Sequence, residues 1–400
     1  MNLNTNTNQV TSSIKPPKNS PGILTWLKRN MFNSWWNVLL SFISIFLLYQ
    51  IVSGTANWVF ITAEWDVISN NYRLFMVGQY ERSELWRVWA GLGFISLLFG
   101  MSAGIWKGTP RILSGVLIFL YLVHIVVPFT SGTSKLWLLS TIALIIAGYI
   151  ITPYLPKKKM IVIIGFCLAF PLIIFLLNGF GILPAVKSNV WGGLLFTVLL
   201  SAVAIIFSFP IGILLALGRT SKLPVIKYFC IGYIEVIRGI PLITVLFMAQ
   251  ILIPIFLPEG FEITNIIRVM IGCTLFTAAY MAENVRGGLQ SIPNGQYEAS
   301  KAIGLNSIHS MTFIIMPQAL RAVIPAIVGQ SISMFKDTSL VAIVGLFDIL
   351  GIAQTVKSNP DYLGRHMEVY LFIALVYWVI AYAMAYSSRR LERSLGVGER

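Results

Sequence analysis

Charge is what this sequence has least of. Asp, Glu, Lys and Arg together make up 11% of the 400 residues, against about 25% in an ordinary globular chain. With 56% hydrophobic residues and a mean hydropathy of +0.79, there is too little polar surface to clothe a soluble particle, and disordered or collagen-like readings fall away with it. Cysteine is nearly absent: Cys167, Cys230 and Cys273 each lie in an apolar stretch without CxxC spacing. Neither a disulfide framework nor a metal cage is supported, and all three read as small buried hydrophobes. Three scattered histidines (His124, His309, His366) argue against a histidine-rich metal or haem site, so no metal site, cofactor or catalytic residue is expected. A phosphate-binding GxxxxGK[ST] loop is also missing, so any nucleotide hydrolysis belongs to another polypeptide.

What is present is a series of long apolar runs. Stretches of spanning length, on the order of 20 residues each, fall near 35–53, 88–106, 112–130, 136–153, 160–179, 192–217, 239–257, 267–285, 318–335 and 369–388. They predict an all-α, polytopic membrane helix bundle of about ten spans. Lipid offers backbone amides no partner, and a barrel would alternate polar and apolar residues. Ahead of them, residues 1–33 read as a polar tail rich in Asn, Thr and Ser, and 391–400 as a second polar tail.

The formal charge of +14 would suggest nucleic acid in a soluble protein, but here it is first a topology signal. With the N-terminus inside, the cytoplasmic segments hold 20 Lys and Arg against four acids, and the external ones eight bases and nine acids. The positive-inside rule then places both termini in the cytoplasm, and nucleic acid is not needed to explain the charge. Composition also divides the chain. Residues 34–187 carry short loops and few polar groups within their spans, apart from an external aromatic loop, Trp58 to Trp86, and membrane anchoring explains them. Residues 188–390 contain Gly, Pro and ionisable groups at depth, and the patterned cytoplasmic loop 286–317.

In that loop Gln296 to Ile303 is a good short helix by propensity, Gly304 suits the left-handed residue that ends one, and Asn306 suits the cap of the next. The expected product is a rigid helix outside the bilayer, shaped for a groove in a soluble partner, although an ordinary connecting loop would have the same local chemistry. Glu283 lies near the end of one apolar run, and Lys336 and Asp337 within another. Ionisable groups inside spans face a cavity or a partner. These three read either as contacts for a translocated solute or as ion pairs with each other or with Glu235 and Arg238. Gly192, Gly193, Gly287 and Gly288 read as close-approach positions for packed helices.

Spacing then carries a resemblance. Glu298, Ala299 and Ser300, then Gly304, Ile314 and Pro317, resemble the EAA signature of permease subunits in ATP-driven, binding-protein-dependent importers. Ser300 stands where the motif prefers Ala, and Met316 where it prefers Leu. The segments Trp191 to Thr197, Glu235 to Leu242, Ala279 to Gly288 and Phe335 to Val341 are similar to polar amino-acid permeases, and the total length resembles the M-type subunit of general L-amino-acid permeases. The resemblance implies a permease core of about five helices, a heterodimer with a second homologous permease, two ATPase subunits and an external solute-binding protein. It also implies an amino-acid substrate and a bacterial plasma (inner) membrane. Glu298, Ala299, Ser300, Gly304, Ile314 and Pro317 would couple to the ATPase; Glu283, Lys336 and Asp337 are the candidates for the translocation path. An ion-gradient-driven transporter or channel is the alternative, but the inverted repeats with broken helices that it calls for are not detectable.

Overall fold

Apolar runs of this length can bury their backbone only by closing hydrogen bonds within themselves, and the computed structural model is accordingly helical. It describes residues 22–396 except 107, 181, 259 and 261–262; most of the N-terminal polar tail and the last four residues lie outside that range. Among the described residues there is no β-strand, and nine helices are long and apolar enough to cross a membrane, or ten with one bent pair.

The chain divides into two units, Met1–Ala63 and Glu64–Arg400. The first holds α1 (Ile23–Asn30) and α2 (Trp35–Asn57), which runs on through a π turn at Trp58–Thr62. No residue of α2 is buried, and Phe42, Phe46 and Leu48 lie exposed around it. A helix apolar on all sides and without a buried residue is a lipid-facing anchor.

The second unit begins with α3 (Asp66–Val77), inside the segment read from sequence as an external anchoring loop. Its face of Val67, Ile68, Tyr72 and Phe75 is buried, packed with Ile352, Val356, Val369 and Ile373. Twelve residues are too short to span, which is why a search for long runs passes over them. Then come α4 (Leu85–Ile105), α5 (Thr109–Val126), α6 (Gly132–Ile151) and α7 (Lys158–Asn178). Helices α4 and α6 cross backbone to backbone: a Cβ on Gly100 would lie 2.1 Å from the Ile145 carbonyl oxygen, and one on Gly148 2.6 Å from that of Leu97. Small residues at a crossing are how helices gain contact in lipid, where no hydrophobic force drives them together.

The remaining helices are α8 (Gly193–Arg219), α9 (Pro224–Gly239), α10 (Leu242–Ile255), α11 (Asn265–Gln290), α12 (Asn294–Ala302), α13 (Ser307–His309), α14 (Met316–Asp337), α15 (Ile349–Lys357) and α16 (His366–Leu395). Helix α11 is the central post. It buries Val269, Cys273, Ala278, Met281 and Val285, and Gly212 of α8 admits Met281, whose Cβ would be 2.7 Å from a side chain there. Gly192 and Gly193 sit against Phe347 and Phe75 and Gly288 against Ala319, as close approach demands; Gly287 has nothing within 4 Å.

Three expectations need correction. The run at 239–257 is not a straight span: α10 covers only 14 residues and meets α9 at 113°. Pro241 lacks an amide hydrogen and pushes Ile240 to extended φ −114°, ψ 147°, so the helix cannot pass through. The run at 318–335 belongs to a longer helical segment, Ser307–Val344, in which a π turn at Ser310–Ile315 joins α13 to α14, with Pro317 in the first turn of α14. Cys167 is exposed, while Cys230 and Cys273 are buried; a lipid-facing site and a protein core admit the same residue types.

Candidate functional site

The patterned loop folds as a helical hairpin at the end of the bundle where α11 stops. Pro293 precedes α12 with extended backbone, and α12 ends in a paired closure: the Gly304 N–H donates to the Lys301 carbonyl at 2.9 Å and the Leu305 N–H to the Ser300 carbonyl at 3.1 Å. This is a Schellman motif, and it requires a left-handed residue at Gly304, whose φ is +81°. No atom lies within 4 Å of a Cβ built there, so backbone conformation and not crowding selects glycine. Asn306 then caps α13, its side-chain oxygen accepting the His309 N–H at 2.8 Å.

Ser300 locks the two arms. It is 1% exposed, its hydroxyl donates to the Tyr297 carbonyl at 2.8 Å, and it lies 2.6 Å from the buried Ser310 hydroxyl. The residue that departs from the motif's preferred alanine thus pins α12 to the π turn. Gln318 adds a second tie, donating to Gln296 at 3.2 Å and to the Ile314 carbonyl at 2.8 Å. Beneath, Ile315 and Ala319 are buried with Ala216, Ile234, Ala282 and Val285, which roots the hairpin on α8, α9 and α11.

Glu298 and Ala299 face outward and are exposed, Pro317 is exposed and Ile314 half-buried. Three exposed apolar side chains, Ile303, Ile308 and Phe313, flank them. The sequence reading missed these. Their signal was available, since apolar residues between polar ones on a short loop outside the bilayer have no membrane to enter.

A little deeper, Glu283 gathers three guanidinium groups. Arg286 forks onto it from one turn along α11; the Arg219 Nη1 approaches at 3.5 Å from α8 and the Arg238 Nη1 at 3.6 Å from α9. Arg219 also holds Glu235 at 2.9 Å. Glu235 and Arg238, three apart on α9, therefore bind elsewhere and not each other. Arg238 lies 5.7 Å from the Tyr280 ring centroid, and its Nε is buried without an acceptor. Lys336, exposed, and Asp337, half-buried, lie at the far end of α14 and enter no ion pair among the described residues, so the structure does not bring them to Glu283.

At the opposite end of the bundle the start of α11, the segment before α8 and residues 345–347 border a cleft of about 460 Å³ that includes Asn178, Lys187, Asn189 and Trp191. Beside it Asp348 is fully buried, accepting the Gly351 N–H at 2.8 Å and the Tyr377 hydroxyl at 3.3 Å. Asp348 lies between spanning segments, and burial pushes its carboxyl up to about 7 against the pull of those hydrogen bonds.

The family described as "Binding-protein-dependent transport system inner membrane component" matches residues 208–397. The inner membrane amino-acid ABC transporter permease protein YhdY of Escherichia coli (strain K12) is 36% identical over 404 residues, covering 96% of this chain and 97% of that protein. The glutamate/glutamine/aspartate/asparagine transport system permease protein BztC of Rhodobacter capsulatus is 34% identical over 426 residues, covering 95% of each. Among solved structures, a crystal structure of an amino acid ABC transporter with histidines matches 50% of this chain and 92% of that one, at 30% identity and a TM-score of 0.46. Both alignments cover nearly the whole of this chain, its N-terminal spans included. The chain belongs to the binding-protein-dependent transport system inner membrane component family, as a multi-pass ABC transporter permease protein of the inner membrane.

Proposed function

We propose that this permease forms part of the translocation path of an ATP-driven, binding-protein-dependent amino-acid importer, and that its α12 hairpin is the handle on which a separate ATPase acts. As a permease it is a transport subunit and not an enzyme. The observation that carries the proposal is the construction of the hairpin. An exposed short helix, closed at Gly304, is pinned by Ser300 to Ser310 in the π turn of a helical segment that runs from Ser307 to Val344. A displacement of α12 would therefore move that segment as a lever and would not be absorbed in a floppy loop. Glu298 and Ala299 with Ile303, Ile308 and Phe313 offer one charged and several apolar contacts, the composition of a helix that fits a groove.

In this reading residues 188–390 are the importer core and 34–187 accessory membrane helices. The partners are a second homologous permease, two ATPase copies and an external solute-binding protein that delivers the amino acid. The concentration of Lys and Arg on one side supports cytoplasmic termini and a cytoplasmic hairpin. Glu283 is engaged by three arginines, which favours its role as a tie between helices; Lys336 and Asp337 remain candidate contacts in the path.

The lever is tested at its corner. Gly304→Val forces a β-branched residue to φ +81° at a strain of about 1–2 kcal/mol, with no clash to unfold the bundle. The variant should reach the membrane in normal amount and import labelled amino acid at least tenfold more slowly. Import at the parent rate from the same amount of protein would overturn the coupling role.

A further inference from the structure

We infer that Arg238, at the break between α9 and α10, receives the carboxylate of the substrate as it crosses the bundle. The inference rests on the amino-acid reading above and assigns that substrate a contact.

The break places a charged side chain where an apolar wall would otherwise continue. Helix α10 follows at once with Leu242, Val245 and Leu246 buried, and α9 carries buried Ile234 one turn before Arg238. A cation at the edge of a span is kept where it meets a partner or a passing solute, and the Arg238 side chain is one-third exposed, open to such a solute. At this break two things favour an anion together. The first turn of the 14-residue α10 presents the positive end of its dipole, and Pro241 brings no side-chain cap to it. Just ahead of it in the chain, Arg238 has a buried Nε without an acceptor.

The arrangement of charges singles out this arginine from its neighbours. The cluster holds Arg219, Arg238 and Arg286 against Glu235 and Glu283, an excess of one positive charge. Arg286 spends its fork on Glu283, and Arg219 is committed to Glu235 at 2.9 Å. Arg238 has a single carboxylate contact, the longest of the set at 3.6 Å, and Tyr280 holds its plane at 5.7 Å. A buried guanidinium N–H lacking an acceptor is an open hydrogen-bonding demand, and a planar carboxylate answers it with paired bonds. Glu283 can release Arg238 at little cost because Arg286 and Arg219 still hold it, and its own charge then faces the substrate's ammonium side.

The test uses the whole transporter, with its partner subunits, in proteoliposomes supplied with saturating amino-acid-loaded binding protein. Arg238→Gln should lower uptake at least tenfold while the stimulation of ATP hydrolysis by loaded binding protein stays within twofold of the parent. Arg238→Lys, which keeps charge but not the fork, should fall between the two. In the detergent-solubilised complex without binding protein, labelled amino acid should bind to the parent and not to Arg238→Gln. The same amino acid as its carboxamide should fail to compete. Uptake by Arg238→Gln within twofold of the parent would overturn the inference, as would equal competition by the carboxamide. A joint loss of uptake and ATPase stimulation in both Arg238→Gln and Glu283→Gln would show a structural tie and also overturn it. A parent complex that imports no amino acid would instead defeat the underlying reading of function.

Discussion

Asp348 shows how much one residue can depend on its burial. It caps α15 from a position with no solvent exposure, and its carboxyl is pushed up to about 7 because the charged form has lost its water. The usual value in an unfolded chain is about 3.9, so the folded state holds the proton more tightly. The associated stability is complete below about pH 4 and is lost as pH rises through about 7, amounting to roughly 4 kcal/mol for a gap of about three between the folded and unfolded values. Asn is as good a cap and carries no charge. Asp348→Asn should therefore match the parent to within about 1 kcal/mol at pH 4 and exceed it at pH 8, seen as a flatter dependence of Tm on pH. Parallel Tm profiles for the two proteins would refute the assignment. The acidic residue was visible in the sequence, but its burial was not. Asp348 follows Phe347 in a stretch that reads equally well as a loop.

Among the elements, the hairpin was the most legible and the helix contacts the least. Gly304 and Asn306 announce a stop and a start because their chemistry acts within a few residues, and the α12 observed at Asn294–Ala302 lies close to the expected Gln296–Ile303. The Ser300 to Ser310 lock could not be read, since it joins two helices across the corner. Glycine makes the same point: adjacent Gly287 and Gly288 look alike in sequence, yet they face different surroundings. A Cβ on Gly288 would lie 2.5 Å from the Ala319 carbonyl oxygen, so Gly288→Val should part α11 from α14 at about 1–3 kcal/mol. Gly287→Ala meets nothing within 4 Å and should be neutral or gain up to about 1 kcal/mol of helix propensity. Thermal unfolding of the two purified variants checks the pair, and equal losses would mean that the α11–α14 contact is misplaced.

For the whole molecule, the charge asymmetry makes a directional prediction. Asn294 at the start of α12 and Asn359 beyond α15 are both exposed and lie at opposite ends of the helical segment Ser307–Val344. In a background lacking Cys167, Cys230 and Cys273, Asn359→Cys should react with a membrane-impermeant maleimide in intact spheroplasts. Asn294→Cys should react only after permeabilisation. The reverse pattern would invert the orientation and remove the hairpin from the reach of a cytoplasmic ATPase.

Hydropathy and local capping chemistry sufficed for an all-α membrane bundle, for the placement of most spans and for the corner at Gly304, because each depends on a residue and its near neighbours. Tertiary structure alone decided that α3 packs into the second unit, that the run at 239–257 breaks against α9, and that Glu283 draws Arg219 and Arg238 from other helices. In lipid the outside of a helix is as apolar as its inside, so the periodicity that would betray a buried face in water is erased. Which faces meet is then settled by close-packed surfaces and by charges far apart in the chain.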